Sequence, residues 1–203
     1  MRLAGLFSGG KDSAYALYVM LNQGFEVPYL VSIFPKSPES YMFHHPKIEK
    51  TIDQAKALKI KQIIVKTKGE KEKELNDLKK ALKKLDIDGF FSGAIASEYQ
   101  KQRLDKIGEE LKLVSFAPLW HKDQESLLRE QIESGFKIVF SAVAADGLDK
   151  SWVGRMLDYS AFEELKKIRD KYKINISGEG GEYETLVVDC PLFSKAIKYG
   201  KGK

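Results

Sequence analysis

At 203 residues and 23.0 kDa the chain has room for one large domain, or one domain with a small appendage, and is too short for a multi-domain synthetase. Its 43% hydrophobic fraction with 11% aromatics supplies a buried core, and its 31% charge without a long one-sign run excludes a disordered chain. A net charge of +5 would suit an anionic partner, but the lysines are interleaved with glutamates, as between Lys66 and Lys84, in the manner of a solvated helical face, so no stable nucleic-acid binding is expected.

Residues 3–7 form an apolar run too short for a helix and closed by Ser8-Gly9-Gly10, which reads as a buried strand entering a tight turn. Ala14, Leu17, Tyr18 and Leu21 then recur at helical spacing, with Asp12 or Ser13 placed to cap the helix and Gly24 placed to stop it. Further strands are predicted at 29–34, 62–65, 89–92 and 137–143, separated by helices at 47–58, 70–85, 97–111 and 123–134. Strand and helix in alternation imply a parallel sheet with helices on both faces, which binds ligands at the carboxyl ends of its strands. From about Asp146 the pattern loosens into a helix at 160–172, the run Gly178-Glu179-Gly180-Gly181 and an alternating strand at 183–188. The expected division is therefore a nucleotide-binding domain at 1–145 and a small α+β acceptor domain at 146–203. The proline-punctuated stretch 35–46 is the longest irregular segment and has the length of a functional lid. No stretch approaches the roughly 18 to 20 apolar residues of a membrane span, and the start turns to glycine and charge too early for a signal peptide. A lone Cys190 fits a reducing compartment, so a soluble cytoplasmic protein without membrane contact is expected.

Ser8-Gly9-Gly10-Lys11-Asp12-Ser13, joining the first strand to the first helix, is the sharpest chemical signal. Two glycines let the backbone bend close to a ligand, while the amides and dipole of the helix start favour an anion. Lys11 adds a positive charge, Ser8 and Ser13 add hydroxyl donors, and Asp12 would cap the helix or hold a magnesium ion (Mg2+) bridging phosphates. The pattern is neither the Walker loop nor the dinucleotide fingerprint.

The loop resembles that of the ATP pyrophosphatase (PP-loop) superfamily, whose members cleave ATP between the α and β phosphates. Ser40-Tyr41-Met42-Phe43-His44, Gly93-Ala94-Ile95 with Ser97-Glu98-Tyr99-Gln100 and Arg103, Pro118-Leu119-Trp120, and Gly178-Glu179-Gly180-Gly181-Glu182-Tyr183-Glu184-Thr185-Leu186 are together similar to the diphthine-ammonia ligase family. The resemblance implies an adenine nucleotide alpha hydrolase-like, Rossmann-like fold. It also implies ATP-dependent amidation of diphthine on translation elongation factor 2 by ammonia, through an acyl adenylate, giving diphthamide, AMP and pyrophosphate. The chemistry is consistent with the residues: a carboxylate must be esterified before an amine can displace its oxygen, and preorganised amides with a lysine would stabilise the departing pyrophosphate. Glutamine-dependent amidation needs a nucleophilic cysteine in its own module, so free ammonia is the expected donor. Cys190, after an apolar alternation, reads as core.

Within this frame Lys11, Asp12 and Arg103 are the candidate catalytic residues, Arg103 to steady the α-phosphate or the acceptor carboxylate. ATP is expected on residues 8–13 and Gly93, with adenine at the backbone of Ser32, Ile33 and Phe34. Glu179, Glu182 and Glu184, with Tyr183 as core or cation-site wall, are candidates for the trimethylammonium of diphthine, for magnesium or for ammonium. His44 on the lid, Tyr99 and Gln100 are further substrate-binding candidates. Trp120 reads as core, and Gly154, Arg155 and Asp158 as acceptor-side or packing residues. Two rivals remain, a PP-loop enzyme that modifies transfer RNA and a non-catalytic adenine-nucleotide-binding protein. The assembly state stays open between monomer and homo-oligomer.

Overall fold

The structure, a computed structural model, describes residues 1–35, 47–68 and 73–200. Its elements run β1 (Arg2–Leu6), α1 (Lys11–Asn22), β2 (Glu26–Pro35), α2 (Lys50–Leu58), β3 (Lys61–Thr67), α3 (Lys73–Leu82), β4 (Gly89–Phe91), α4 (Glu98–Leu111), β5 (Val114–Phe116), α5 (Gln124–Glu133), β6 (Lys137–Val143), α6 (Tyr159–Tyr172) and β7 (Tyr183–Asp189). Five strands form a parallel sheet in the order β3-β2-β1-β4-β5, as the alternation of elements predicts. The period-2 geometry of the strands sends neighbouring side chains to opposite faces. Leu3, Leu30 and Phe91 enter one core with α1, α5 and α6, whereas Ala4, Val31 and Phe90 enter a second core with α3 and α4.

Among the described residues, α4, α5 and α6 start on side-chain caps: Ser97 accepts from the Gln100 amide (3.4 Å), Asp123 from that of Ser126 (2.9 Å) and Asp158 from that of Ala161 (2.9 Å). Helix α1 departs from expectation, because its N-cap is Gly10 and no side chain caps it. Asp12 and Ser13 are thereby left for other partners.

Lys137–Val143 does not join the parallel sheet. It pairs antiparallel with β7 in a separate two-stranded sheet, Val139 opposite Leu186 and Phe140 opposite Thr185. Ile138, Val139 and Phe140 are buried, and a strand covered on both faces reads as a continuous apolar run whichever sheet it belongs to. Phe140 sits edge-on to Trp152 and Tyr183, each 5.0 Å away, anchoring this small sheet in the core shared with α1. The three residues of β5 are too few to show any period and went unforeseen. Among the described residues no helix is long and apolar enough to cross a membrane.

Cys190 follows β7 and is buried, as expected of a core residue. Burial raises its thiol pKa from the usual 9.0 to about 11. Below pH 9 the thiol is protonated in folded and unfolded chains alike; between 9 and about 11 only the unfolded chain releases the proton, so this group withdraws stability as pH rises through that window. Native protein at neutral pH is therefore expected to resist alkylation by iodoacetamide until it unfolds, and Cys190→Ala to keep any ammonia-dependent activity.

Candidate nucleotide-binding cleft

The chain leaves β1 toward β2 on one side and returns for β4 on the other, so its connections diverge at the carboxyl ends of β1 and β4, where an open sheet holds its ligand. A cleft of about 240 Å³ opens there. Ser8, Asp12 and Ser13 of the first loop, Ile33 of β2, and Ser92 and Gly93 beyond β4 line it, faced by Gly178, Glu179 and Glu184 from the C-terminal segment.

The loop is gripped from below. Gly9 has φ +81, and its carbonyl accepts from the Val187 amide of β7 (3.0 Å) and from Gln54 Nε2 of α2 (2.9 Å). The Lys11 amide, first of the helix, donates to Thr185 Oγ1 (3.1 Å). Ser8 Oγ donates to Ser13 Oγ (3.2 Å), which in turn donates to the Gly10 carbonyl (3.1 Å). Beyond β4, a Cβ on Gly93 would lie 2.6 Å from the Asp12 carbonyl carbon and 2.7 Å from the Ser13 nitrogen, so only glycine lets this turn lie against the start of α1.

Lys11 is placed differently from expectation. Its side chain is 3% exposed, does not line the cleft, and turns toward the C-terminal segment. The ammonium donates to Asp12 Oδ2 (2.6 Å) and the Ser177 carbonyl (2.6 Å), 5.7 Å from the centre of the Tyr183 ring. Asp12 does line the cleft, with Oδ1 accepting from Gln131 Nε2 of α5 (3.0 Å). Tyr183 is core: its hydroxyl donates to the Ile176 carbonyl (2.7 Å), and burial above all, then the Asp12 and Glu182 charges, raises its pKa well above the ordinary phenol value. It stays a neutral donor.

The three acids of the glycine-rich turn do not form one cluster. Glu179 Oε1 accepts from the amides of Ile95, Ala96 and Ser97 (3.3, 3.1 and 3.3 Å), where the start of α4 favours a carboxylate. Glu182 does not line the cleft and accepts from the Asn175 amide (2.9 Å). Glu184 faces the cleft. Among the described residues no group of three His, Cys, Asp or Glu is arranged to hold a metal ion. Asp12 has each oxygen engaged by a protein donor, so a magnesium ion here would be one brought by phosphates, with Asp12 beside it.

Other expected residues are dispersed. Gln100 and Leu104 line the cleft, but Arg103 does not: its guanidinium stacks 3.4 Å above the Tyr99 ring and faces a second hollow between α3 and α4. Ser32 is fully buried, donating to the Phe7 carbonyl (2.7 Å) and accepting from Gln62, so its hydroxyl supports the loop from beneath. Phe34 does not line the cleft, whereas Ile33 does. Trp120 is half-buried and stacks on His121 rather than lying in the core (4.7 Å between rings). Arg155 forms a bidentate pair with Glu164 (2.7 Å each) and Asp158 caps α6, so both have packing partners. His44 lies outside the described residues. Gln54, Gln131 and Ile48 were missed, for a glutamine within a helical repeat carries no sign of what it will touch.

A parallel sheet with helices on both faces and a glycine-bent strand-to-helix loop at its divergence point defines an α/β protein with a ligand-binding edge at that loop. A solved structure with this fold, from Methanocaldococcus jannaschii and described as a predicted subunit of tRNA methyltransferase, aligns over 97% of this chain and 100% of its own with a TM-score of 0.54 and 17% identity. Family profiles are more specific: Diphthamide synthase N-terminal domain matches residues 1–115 and Diphthamide synthase C-terminal domain matches residues 123–203. The human protein named diphthine--ammonia ligase is 36% identical over 97% of this chain and 82% of its own length, and its zebrafish (Danio rerio) namesake 34% over 97% and 86%. The namesake in Schizosaccharomyces pombe is 33% identical over 97% of this chain, which covers 36% of that longer protein. The chain belongs to the diphthamide synthase family.

Proposed function

We propose that the protein amidates the diphthine carboxylate of translation elongation factor 2, using ATP and ammonia. The observation that carries this reading is the position of the glycine-bent loop: its helix start opens at the divergence of β1 and β4, on a cleft whose opposite wall is the glycine-rich acidic turn. The amides of the loop and of the helix start take the β and γ phosphates. Asp12, on the cleft wall, would hold a magnesium ion accompanying the triphosphate, which would offset the charge of the phosphates. Adenine lies at Ile33: Val31 gives its carbonyl to Phe7 on the β1 side, and residues two apart point their backbone groups the same way, so those of Ile33 face the space beyond the end of β1. An acceptor carboxylate oxygen attacks the α-phosphorus, the bond to pyrophosphate breaks, and ammonia then attacks the acyl carbon and expels AMP.

The roles of the acids follow their geometry. Glu179 ties the glycine-rich turn to α4, and Glu184 stands on the cleft wall where the cationic acceptor would lie. The residues that form β6, α6 and β7 make up the acceptor side. Incubation with ATP, ammonium salt and diphthine-bearing factor is expected to give equimolar AMP and pyrophosphate and the small mass loss of replacing a hydroxyl by an amino group. Pyrophosphate release driven by transfer RNA instead of the factor, or binding of ATP without AMP formation, would contradict the reading.

A further inference from the structure

We infer that Gln54 is a positioning residue, which sets the aim of the phosphate-binding amides without touching the nucleotide. Its side chain is fully buried under the loop, and both hydrogens of its amide nitrogen are used, one on the Gly9 carbonyl (2.9 Å) and one on the Val187 carbonyl (2.8 Å). Val187 completes the arrangement by donating its own amide to the Gly9 carbonyl (3.0 Å). The outer edge of β7 is thus closed by the loop and by one glutamine rather than by another strand.

The Gly9 carbonyl, receiving two donors, cannot rotate. Because the peptide unit is planar and trans, the Gly10 N–H points opposite to that carbonyl, away from α2 and β7. Fixing one oxygen therefore fixes the direction of the first amide on the upper side of the loop. Gln54 Oε1, by contrast, is buried with no partner among the described residues and would lie 2.3 Å from a Cβ on Gly9. A buried acceptor without a partner costs desolvation with no return, so packing alone would be better served by an apolar side chain. The donor nitrogen gives a reason for a glutamine at this position. Thr51, one turn earlier and also fully buried, is held by Gln62 (2.7 Å), so the floor beneath Gly9 is itself fixed.

This role rests on the reading of the loop as the site of the outer phosphates, and calorimetric titration separates the two. With intact protein, a non-hydrolysable ATP analogue is expected to bind tighter than AMP. Gln54→Met keeps the volume and loses both donors, and Gln54→Asn keeps the amide but is one methylene too short to span the two carbonyls. In each variant the affinity for the ATP analogue is expected to fall about tenfold or more while that for AMP stays unchanged. An unaltered ratio in a folded variant, or an equal loss for both ligands, overturns the positioning role. Failure of both variants to fold also rejects it, since Gln54 would then be a determinant of the fold. Absence of any preference for the ATP analogue in the wild-type chain would instead overturn the reading of the loop.

Discussion

Gly9→Ala is expected to remove ATP-dependent turnover and to lower stability by about 3 kcal/mol, counting roughly 1 for an L-residue forced into left-handed backbone and about 1 for each of the two Gln54 hydrogen bonds it displaces. The added methyl would sit 2.3 Å from Gln54 Oε1 and 3.1 Å from Thr51 Cγ2. Both side chains are fully buried, so neither can swing into solvent to make room. Gly24→Ala is the control: φ there is +84, yet nothing lies within 4 Å of the added carbon, so only the backbone cost of about 1 kcal/mol applies and activity persists. Denaturant unfolding and a pyrophosphate-release assay on both variants check the pair. Equal behaviour of the two would mean that backbone conformation, not the Gln54 contact, is what matters at Gly9.

Lys11→Met is expected to lower turnover by about 100- to 1,000-fold, the usual cost of one electrostatic contribution at a reacting centre. The cause differs from a lysine reaching into a phosphate. The ammonium lies behind Asp12 and pairs with it at 2.6 Å, so its removal takes away the protein counter-charge of a carboxylate on the wall where the triphosphate is to lie. The Ser177 carbonyl loses its donor as well, which loosens the C-terminal segment and lowers the melting temperature by a few degrees. Lys11→Met with Asp12→Asn removes both charges, and nucleotide affinity is expected to recover partly over the single Lys11 variant. Strictly additive losses would show that the two side chains act apart.

The contrast between Lys11 and Gln54 shows how far the sequence could be read. A strand, a glycine turn and a helical repeat within residues 3–21 are local patterns, and they locate the loop at its true place in the sheet. Partner choice is not local. Lys11 finds Ser177, and Gly9 finds Val187, across more than 160 positions of chain, and nothing near residue 11 announces which way that side chain turns. The same limit separates the three glutamates of the glycine-rich turn, which look alike in sequence and take three different surroundings. Strand β6 was misplaced for a related reason: an apolar run records burial but not the identity of the neighbouring strand.

A crystal structure of the protein with a non-hydrolysable ATP analogue and magnesium puts the placement of the nucleotide to its most direct test. The outer two phosphates should lie against the amides of Gly10, Asp12 and Ser13, the Lys11 amide being given to Thr185, with adenine beside Ile33. A triphosphate found instead in the hollow between α3 and α4, among Lys79, Arg103 and Lys106, with residues 8–13 untouched, would contradict it.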